Sequence, residues 1–298
     1  MTIQIAEFTA KHLPFVTRLL NEEYREAYEF IPFDEERVLS QIRRRDLKIL
    51  VAEENGKIIG LIGTHPEEHG EKNIRWLAAE KGDKQMAVED MLVKEIEKLV
   101  EGHTVTTMLD EASPRIKDWI NRGYALEPGY QRMSAKLDGS KQIPQIHPGI
   151  KLRSLRPGEE QELISVINSG FGWQRLELKD LETWKSQDPP FNEEWVQVAQ
   201  ADERIVSAVV AKPDTDYNKY THLNVGYLGP AATLQEFRNK HIGSALTARS
   251  MNFLFAKGMT SARLGTSEKN VSSIALLQSL GFQVDNVRKI LRKKLKNN

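Results

Sequence analysis

The chain of 298 residues has no cysteine, which excludes disulfides, thiolate metal sites and a cysteine nucleophile. It has no excess of charge of either sign: 42 basic residues face 42 acidic ones, so no strong overall field draws it to nucleic acid. It has no stretch of the ~18 apolar residues that a membrane-spanning helix requires. Its first residues, MTIQIAEF, lack the basic-then-apolar layout of a secretory signal. These absences predict a globular cytoplasmic protein, monomer or homodimer, with neither a membrane nor a nucleic-acid partner. A secreted cysteine-free protein is left open.

What is present is enough for two cores. Hydrophobic residues make up 40% and charged residues 28%, and the length suits two domains of about 150 residues. Sliding the sequence against itself supports that division. Residues 3–21 lie over 150–168 at a shift of 147, with Ile3, Ile5 and Phe8 meeting Ile150, Leu152 and Leu155. Residues 49–63 lie over 196–210 at the same shift, and both read as two strands about a polar turn. Arg122-Gly123-Tyr124 then meets Leu280-Gly281-Phe282 at a shift of 158, as Lys136-Leu137 meets Lys294-Leu295. The second copy therefore carries about eleven extra residues. The polar segment 138–149, with Pro144 and Pro148, reads as a linker between domains 1–137 and 150–298.

Each copy reads as strand, helix, helix, hairpin, strand, long helix, strand, helix, strand, an α/β or α+β sheet covered by helices. In the second copy strands are expected near 150–155, 195–200, 204–211, 222–232, 261–266 and 284–294. Helices are expected near 158–168, 178–187 (stopped by Pro189-Pro190), 242–257 and 271–279. The 242–257 helix would set Ile242, Leu246, Phe253 and Ala256 on one face and stop at Gly258. In the first copy Val88, Leu92, Ile96 and Leu99 share a helix face.

The chemistry sits where the 222–232 strand runs through a polar loop into a helix start. Such a junction aims unpaired backbone N–H groups outward, an anion site reinforced by the helix dipole. Gly243 allows close approach, and Arg238 and Lys240 add positive charge. The stretch Phe237-Arg238-Asn239-Lys240-His241-Ile242-Gly243-Ser244-Ala245-Leu246 resembles the coenzyme A pyrophosphate loop of the GCN5-related N-acetyltransferases (GNAT), Arg/Gln-x-x-Gly-x-Gly/Ala. Downstream, Asn270 followed by a helix and Gly281-Phe282 resembles that family's second signature. The resemblance covers about 150–295 directly and 1–137 only through the repeat.

The resemblance implies two tandem GNAT-like domains, the second using acetyl-coenzyme A (acetyl-CoA). The backbone of Ala231, Ala232 and Thr233 would lie on a splayed strand beside the pantetheine arm. Asn239, Lys240, His241, Ile242, Gly243 and Ser244 would cradle the pyrophosphate with main-chain N–H groups, Arg238 beside them. Asn270 would contact the cofactor near its sulfur, or serve only as a helix N-cap. Tyr227, upstream on the same strand, is the candidate base or water-ordering group. Phe171 and Trp173 fall in a region that borders the acceptor in the family. The implied reaction is acetyl transfer to a primary amine. The alternatives are an acyl-CoA sensor with little turnover, and a relative with an unusual donor or an amino-sugar acceptor.

Two positions depart from the pattern. His241 stands at the first glycine, where a side chain could crowd the phosphate. Leu277 stands where many members have a tyrosine that protonates the leaving thiolate, and Ser273, one turn earlier, is a possible substitute. The first copy lacks the loop motif and has Asp83 there, so it is expected not to bind CoA. His65-Pro66-Glu67-Glu68-His69 has ligand-like spacing, but it reads as a loop without a third ligand, so no metal is expected. The basic run from Arg288 to Lys296 reads as a terminal strand with a frayed, solvated end.

Overall fold

The computed structural model describes residues 2–67, 71–100, 102–187 and 192–296. In chain order the first half has β1 (Gln4–Glu7), α1 (Leu13–Tyr24), α2 (Glu35–Arg45), β2 (Lys48–Glu54), β3 (Lys57–Pro66), β4 (Lys72–Ala79), α3 (Gln85–Leu99), β5 (Thr104–Asp110), α4 (Ile116–Asn121) and β6 (Ala125–Lys136). The second half repeats the order as β7 (Ile150–Ser154), α5 (Glu160–Phe171), α6 (Leu178–Gln187), β8 (Val196–Ala201), β9 (Arg204–Pro213), α7 (Thr215–Thr221), β10 (Val225–Thr233), α8 (Ile242–Ala256), β11 (Ser261–Ser267), α9 (Val271–Ser279) and β12 (Gln283–Lys294). Pro189 and Pro190, expected to stop α6, lie outside the described residues.

The two copies agree strand by strand in register. The β2–β3 pair bulges after Ala52 and the β8–β9 pair after Ala199, which is Ala52 moved by 147. The hairpin turns also match: Asn55 and Gly56 have φ of 54° and 78°, Asp202 and Glu203 of 46° and 66°. Two consecutive positive φ values define the turn whose twist suits an antiparallel hairpin. Gly60 faces Ala79, and its counterpart Ser207 faces Thr233, so the shift has grown from 147 to 154 by that point. The seven added residues fall around α7, an element the sequence pattern does not announce.

Two compact units result, 1–129 with 286–298, and 130–285. They differ from the division at 137 and 150, because each takes its final strand from the other half of the chain. In unit 1 the strand order is β1-β2-β3-β4-β5-β12, and in unit 2 it is β7-β8-β9-β10-β11-β6. Arg288 to Lys294 pair antiparallel with Asp110 to Thr104, and Leu291 is buried in the unit 1 core. Tyr130 to Lys136 pair with Ser267 to Ser261, and Met133, Ala135 and Leu137 enter the unit 2 core. Both halves end in the same local pattern, so the sequence offers nothing to tell a strand from its twin.

The cores follow the apolar patterns, with corrections at helix ends. Val88, Leu92 and Ile96 are buried, but Leu99, the last residue of α3, is 62% exposed. On α8 the buried face is Ile242, Ala245, Leu246, Met251 and Leu254, whereas Phe253 is half-buried against Trp195 and Ala256 is exposed. Gly258, at φ 84°, ends α8 as expected. The basic C-terminal run is neither frayed nor solvated as a whole. Lys289 pairs with Glu111 and Lys293 with Glu97, and Arg292 pairs with Glu71 and Glu127.

Candidate active site

The site of unit 2 begins with a divergence between two strands. β10 runs parallel to β11 only from Val225 to Tyr227, opposite Ser261 to Arg263. Beyond Tyr227, β11 continues along β6, while β10 stays with β9 through a bulge between Leu228 and Ala231. Leu234 N–H donates to Val206, so by the alternation of an antiparallel ladder Ala232 also faces β9. Ala231 and Thr233 therefore point their N–H groups away from β9, toward the side that β11 has left.

Below the end of β10 lies the loop. Asn239 and His241 both have positive φ, 61° and 60°. The left-handed backbone that the sequence motif assigns to a glycine is thus adopted by His241 itself, with its side chain exposed. His241 gives α8 no side-chain cap, and the first intrahelical bond runs from Ala245 N–H to His241 C=O. The N–H groups of Ile242, Gly243 and Ser244 precede that bond, so helix geometry leaves them without an intrahelical acceptor. A Cβ on Gly243 would sit 3.4 Å from Leu276 and 4.0 Å from the Thr233 hydroxyl, so the helix start packs beside the strand end. Ser244 turns its hydroxyl back to His241 C=O, and the Ile242 side chain is core. The two contribute through their backbones.

Arg238 is more than a solvated charge. Its Nε donates to Thr233 C=O at 3.2 Å and its Nη2 to Gly170 C=O at 2.8 Å, strapping loop, strand end and α5 together. Lys240 stands 4.9 Å over the Phe237 ring, and Asn270 caps α9 by accepting from Ser273 N–H. Leu277 is buried in the core, and Ser273 is half-buried on the α9 face that carries Leu276. Phe171 and Trp173 pack edge to face at 5.6 Å, with Arg175 above both rings.

At the upper end of the divergence the structure adds residues that the sequence pattern did not offer. Tyr227 Oη lies 3.9 Å, and Arg132 Nη1 3.2 Å, from the point that a Gly265 Cβ would take. Arg263, beside Tyr227 on β11, stacks 3.7 Å from the Tyr217 ring. Arg132 arrives on β6 from the first half of the chain, and Tyr217 sits on α7, so no local motif could have joined them to Tyr227. A hollow of about 420 Å³ lined by Glu162, Ser169, Arg204 and Leu234 opens beside α5, next to Gly170 and the end of β10.

In unit 1 the matching strand edge is already engaged at Leu77. β4 leaves β5 after Asn73, and by the shift of 154 Leu77 corresponds to Ala231. Its N–H is already taken, at 3.1 Å, by the Tyr24 hydroxyl. Behind it Glu89, 1% exposed, pairs with Arg115 and Arg122, and Arg115 also pairs with Glu23. His65 lies on a strand, not in a loop, buried with its Nδ1 2.9 Å from Pro66 C=O. His69 lies outside the described residues.

Comparison with known proteins fits this geometry. The acetyltransferase (GNAT) family model matches residues 159–282. Unit 2 carries a GNAT domain. The whole chain has the fold of tandem GNAT proteins. A tandem GNAT protein from the clavulanic acid biosynthesis pathway superposes with a TM-score of 0.70 at 14% identity, covering 98% of each chain. A GCN5-related N-acetyltransferase from Sphaerobacter thermophilus gives 0.74 at 15%, covering 99% of this chain and 96% of that one. A GCN5-related glucosamine N-acetyltransferase region in a fungal multi-domain GH3 β-N-acetylglucosaminidase gives 0.76 at 15%. This chain covers 38% of that larger one, which covers 98% of this chain. A search of curated proteins finds no match. No helix among the described residues is long and apolar enough to cross a membrane.

Proposed function

We propose that the GNAT domain of unit 2 transfers an acetyl group from acetyl-CoA to a primary amine, and that unit 1 does not bind CoA. The observation that carries this reading is the pairing of an open strand edge at Ala231 and Thr233 with the uncapped start of α8 at Ile242 to Ser244. One offers N–H groups to an amide-bearing arm, and the other offers them to an anion, in the order that CoA presents them. Acetyl-CoA would supply an acyl group on a thioester, activated toward attack by an amine.

The chain's own residues would do the rest. Ile242, Gly243 and Ser244 N–H groups, with the α8 dipole, hold the diphosphate. Ala231 N–H, on the open edge, is placed to polarise an acyl oxygen. Tyr227 Oη lies at the top of the divergence, where it exchanges a proton with the reacting amine or the departing sulfur. A thiol leaves with modest help, since its pKa is ~8.5, which is consistent with Leu277 in the core replacing a proton donor. Leu277 also favours the second reading, an acyl-CoA sensor with little turnover.

Calorimetric titration with acetyl-CoA and thiol release across an amine panel separate the readings. Gly243→Glu would put a carboxylate among the first-turn N–H groups, where it caps the helix and displaces the ligand anion. We expect it to weaken binding at least ~100-fold, about 2.7 kcal/mol, while Gly243→Ala stays within a few-fold. Unchanged affinity in the glutamate variant would place the diphosphate elsewhere. Tight binding without thiol release from any amine would select the sensor.

A further inference from the structure

The bulge that opens the groove in unit 2 holds Gly229, and in unit 1 the same position holds Arg75. The register fixes the match: Ile74 faces Thr64 as Leu228 faces Ala211, and Trp76 faces Gly63 across the bulge. Gly229 has φ 144°, and a Cβ there would sit 3.3 Å from the Tyr227 ring. Unit 1 instead carries a long cation at that bulge.

We propose that this groove of unit 1 binds a small oxyanion, a carboxylate or a phosphate, on Arg75, with Arg45 and Arg288 near it. Arg75 Nε is shielded from solvent and has no hydrogen-bond partner among the described residues. A buried, unsatisfied guanidinium nitrogen is costly, and native proteins rarely keep one without an ion or water. The neighbours make the cost larger. Burial, and then the positive charges of Arg45 and Arg288, pull the Arg75 pKa down to about 10, with Tyr24 and Glu67 offsetting only part. His65 on the adjacent strand is lowered too, by burial first and also by Arg45 and Arg75.

The nearby negative groups have other contacts. Asp110 stands 3.5 Å from Arg288, whose Nη2 also donates to Met108 C=O, and Glu67 accepts from the Thr106 hydroxyl at 3.4 Å. The Tyr24 hydroxyl is committed to Leu77, so the N–H that matches Ala231 is not free for a pantetheine arm. A planar guanidinium with two further positive charges near it suits the oxygen fork of a carboxylate or a phosphate. The inference rests on unit 1 alone and does not need the acyltransferase reading.

Thermal unfolding of the full chain tests it, with inorganic phosphate or succinate titrated at constant ionic strength into an anion-poor buffer. Carrying Gly243→Glu throughout removes any contribution from the α8 start. One of the two probes should raise the melting temperature saturably, and which one does so identifies the anion. Arg75→Leu should melt no lower than its parent without the anion and should lose the saturable rise. Arg45→Gln, at the exposed end of α2, should keep the rise with about tenfold weaker apparent affinity. No saturable rise from either probe, an equal rise in the Arg75 and parent proteins, or an Arg75→Leu protein that melts lower without anion would overturn the proposal. So would an Arg45→Gln titration identical to its parent.

Discussion

A single torsion decides what His241 means. A histidine in the loop motif looks like a lost glycine, yet the backbone there has φ 60° and ψ 8°, so the side chain is tolerated, not fatal. A left-handed non-glycine residue costs roughly 1–2 kcal/mol, and glycine returns part of that through its unfolded-state entropy. His241→Gly should therefore raise stability by up to about 1 kcal/mol and leave CoA affinity within about twofold, as urea unfolding and calorimetry would show. A loss of affinity would mean that the imidazole itself holds the ligand. Tyr227 carries a sharper expectation. If its hydroxyl moves the proton, Tyr227→Phe should lower kcat by about 10²–10⁴ with acetyl-CoA binding unchanged. A phenylalanine variant with full kcat would assign the proton to another group. What was legible in the sequence is local structure: the strand, loop and helix start from Ala231 to Ser244, and Asn270 as the cap of its helix. Arg132 and Tyr217 were not legible, because a strand from the other half and an inserted helix bring them in.

Elements succeed or fail on close contacts that periodicity does not encode. Hydrophobic spacing gave nearly every strand and helix of both copies, but not α7, whose seven residues have no buried face. Nor does the pattern show why α5 carries a glycine near its end. A Cβ on Gly170 would come within 2.6 Å of Ala232 Cβ and 3.5 Å of Thr233 N, so the helix lies directly on the strand that forms the groove. Gly170→Ala should destabilise the protein by about 1–3 kcal/mol through overpacking and weaken CoA binding as β10 shifts. Equal stability and affinity would show that α5 can withdraw freely. In unit 1 the corresponding strand is guarded by charge. Glu89→Leu leaves Arg115 and Arg122 without their shared buried partner, and we expect a loss of about 3–5 kcal/mol in denaturant unfolding. A change under ~1 kcal/mol would show that the arginines re-pair with Glu23 and Asp90.

Across the whole molecule the duplication was readable in the sequence, and the exchange of final strands was not. Lys136-Leu137 and Lys294-Leu295 align because they end equivalent strands, yet each strand completes the unit begun by the other half. Ending the chain at residue 285 would remove Leu291 from the unit 1 core and take from β5 its partner over seven residues. A loss of at least about 3 kcal/mol is expected, and a fragment starting at residue 138 should fail to form a stable unit 2. A fragment that melts cooperatively and binds CoA like the full chain would contradict the exchange. The central claim is that unit 2 presents an open strand edge and an uncapped helix start to CoA, whereas in unit 1 the Tyr24 hydroxyl occupies the matching edge at Leu77. Amide-resolved NMR titration of the full chain with CoA measures it most directly. Displaced signals from Ala231, Thr233 and residues 239–244, with Leu77 and Ala79 unmoved, are the predicted result. Shifts centred on Leu77, or none at the start of α8, would contradict it.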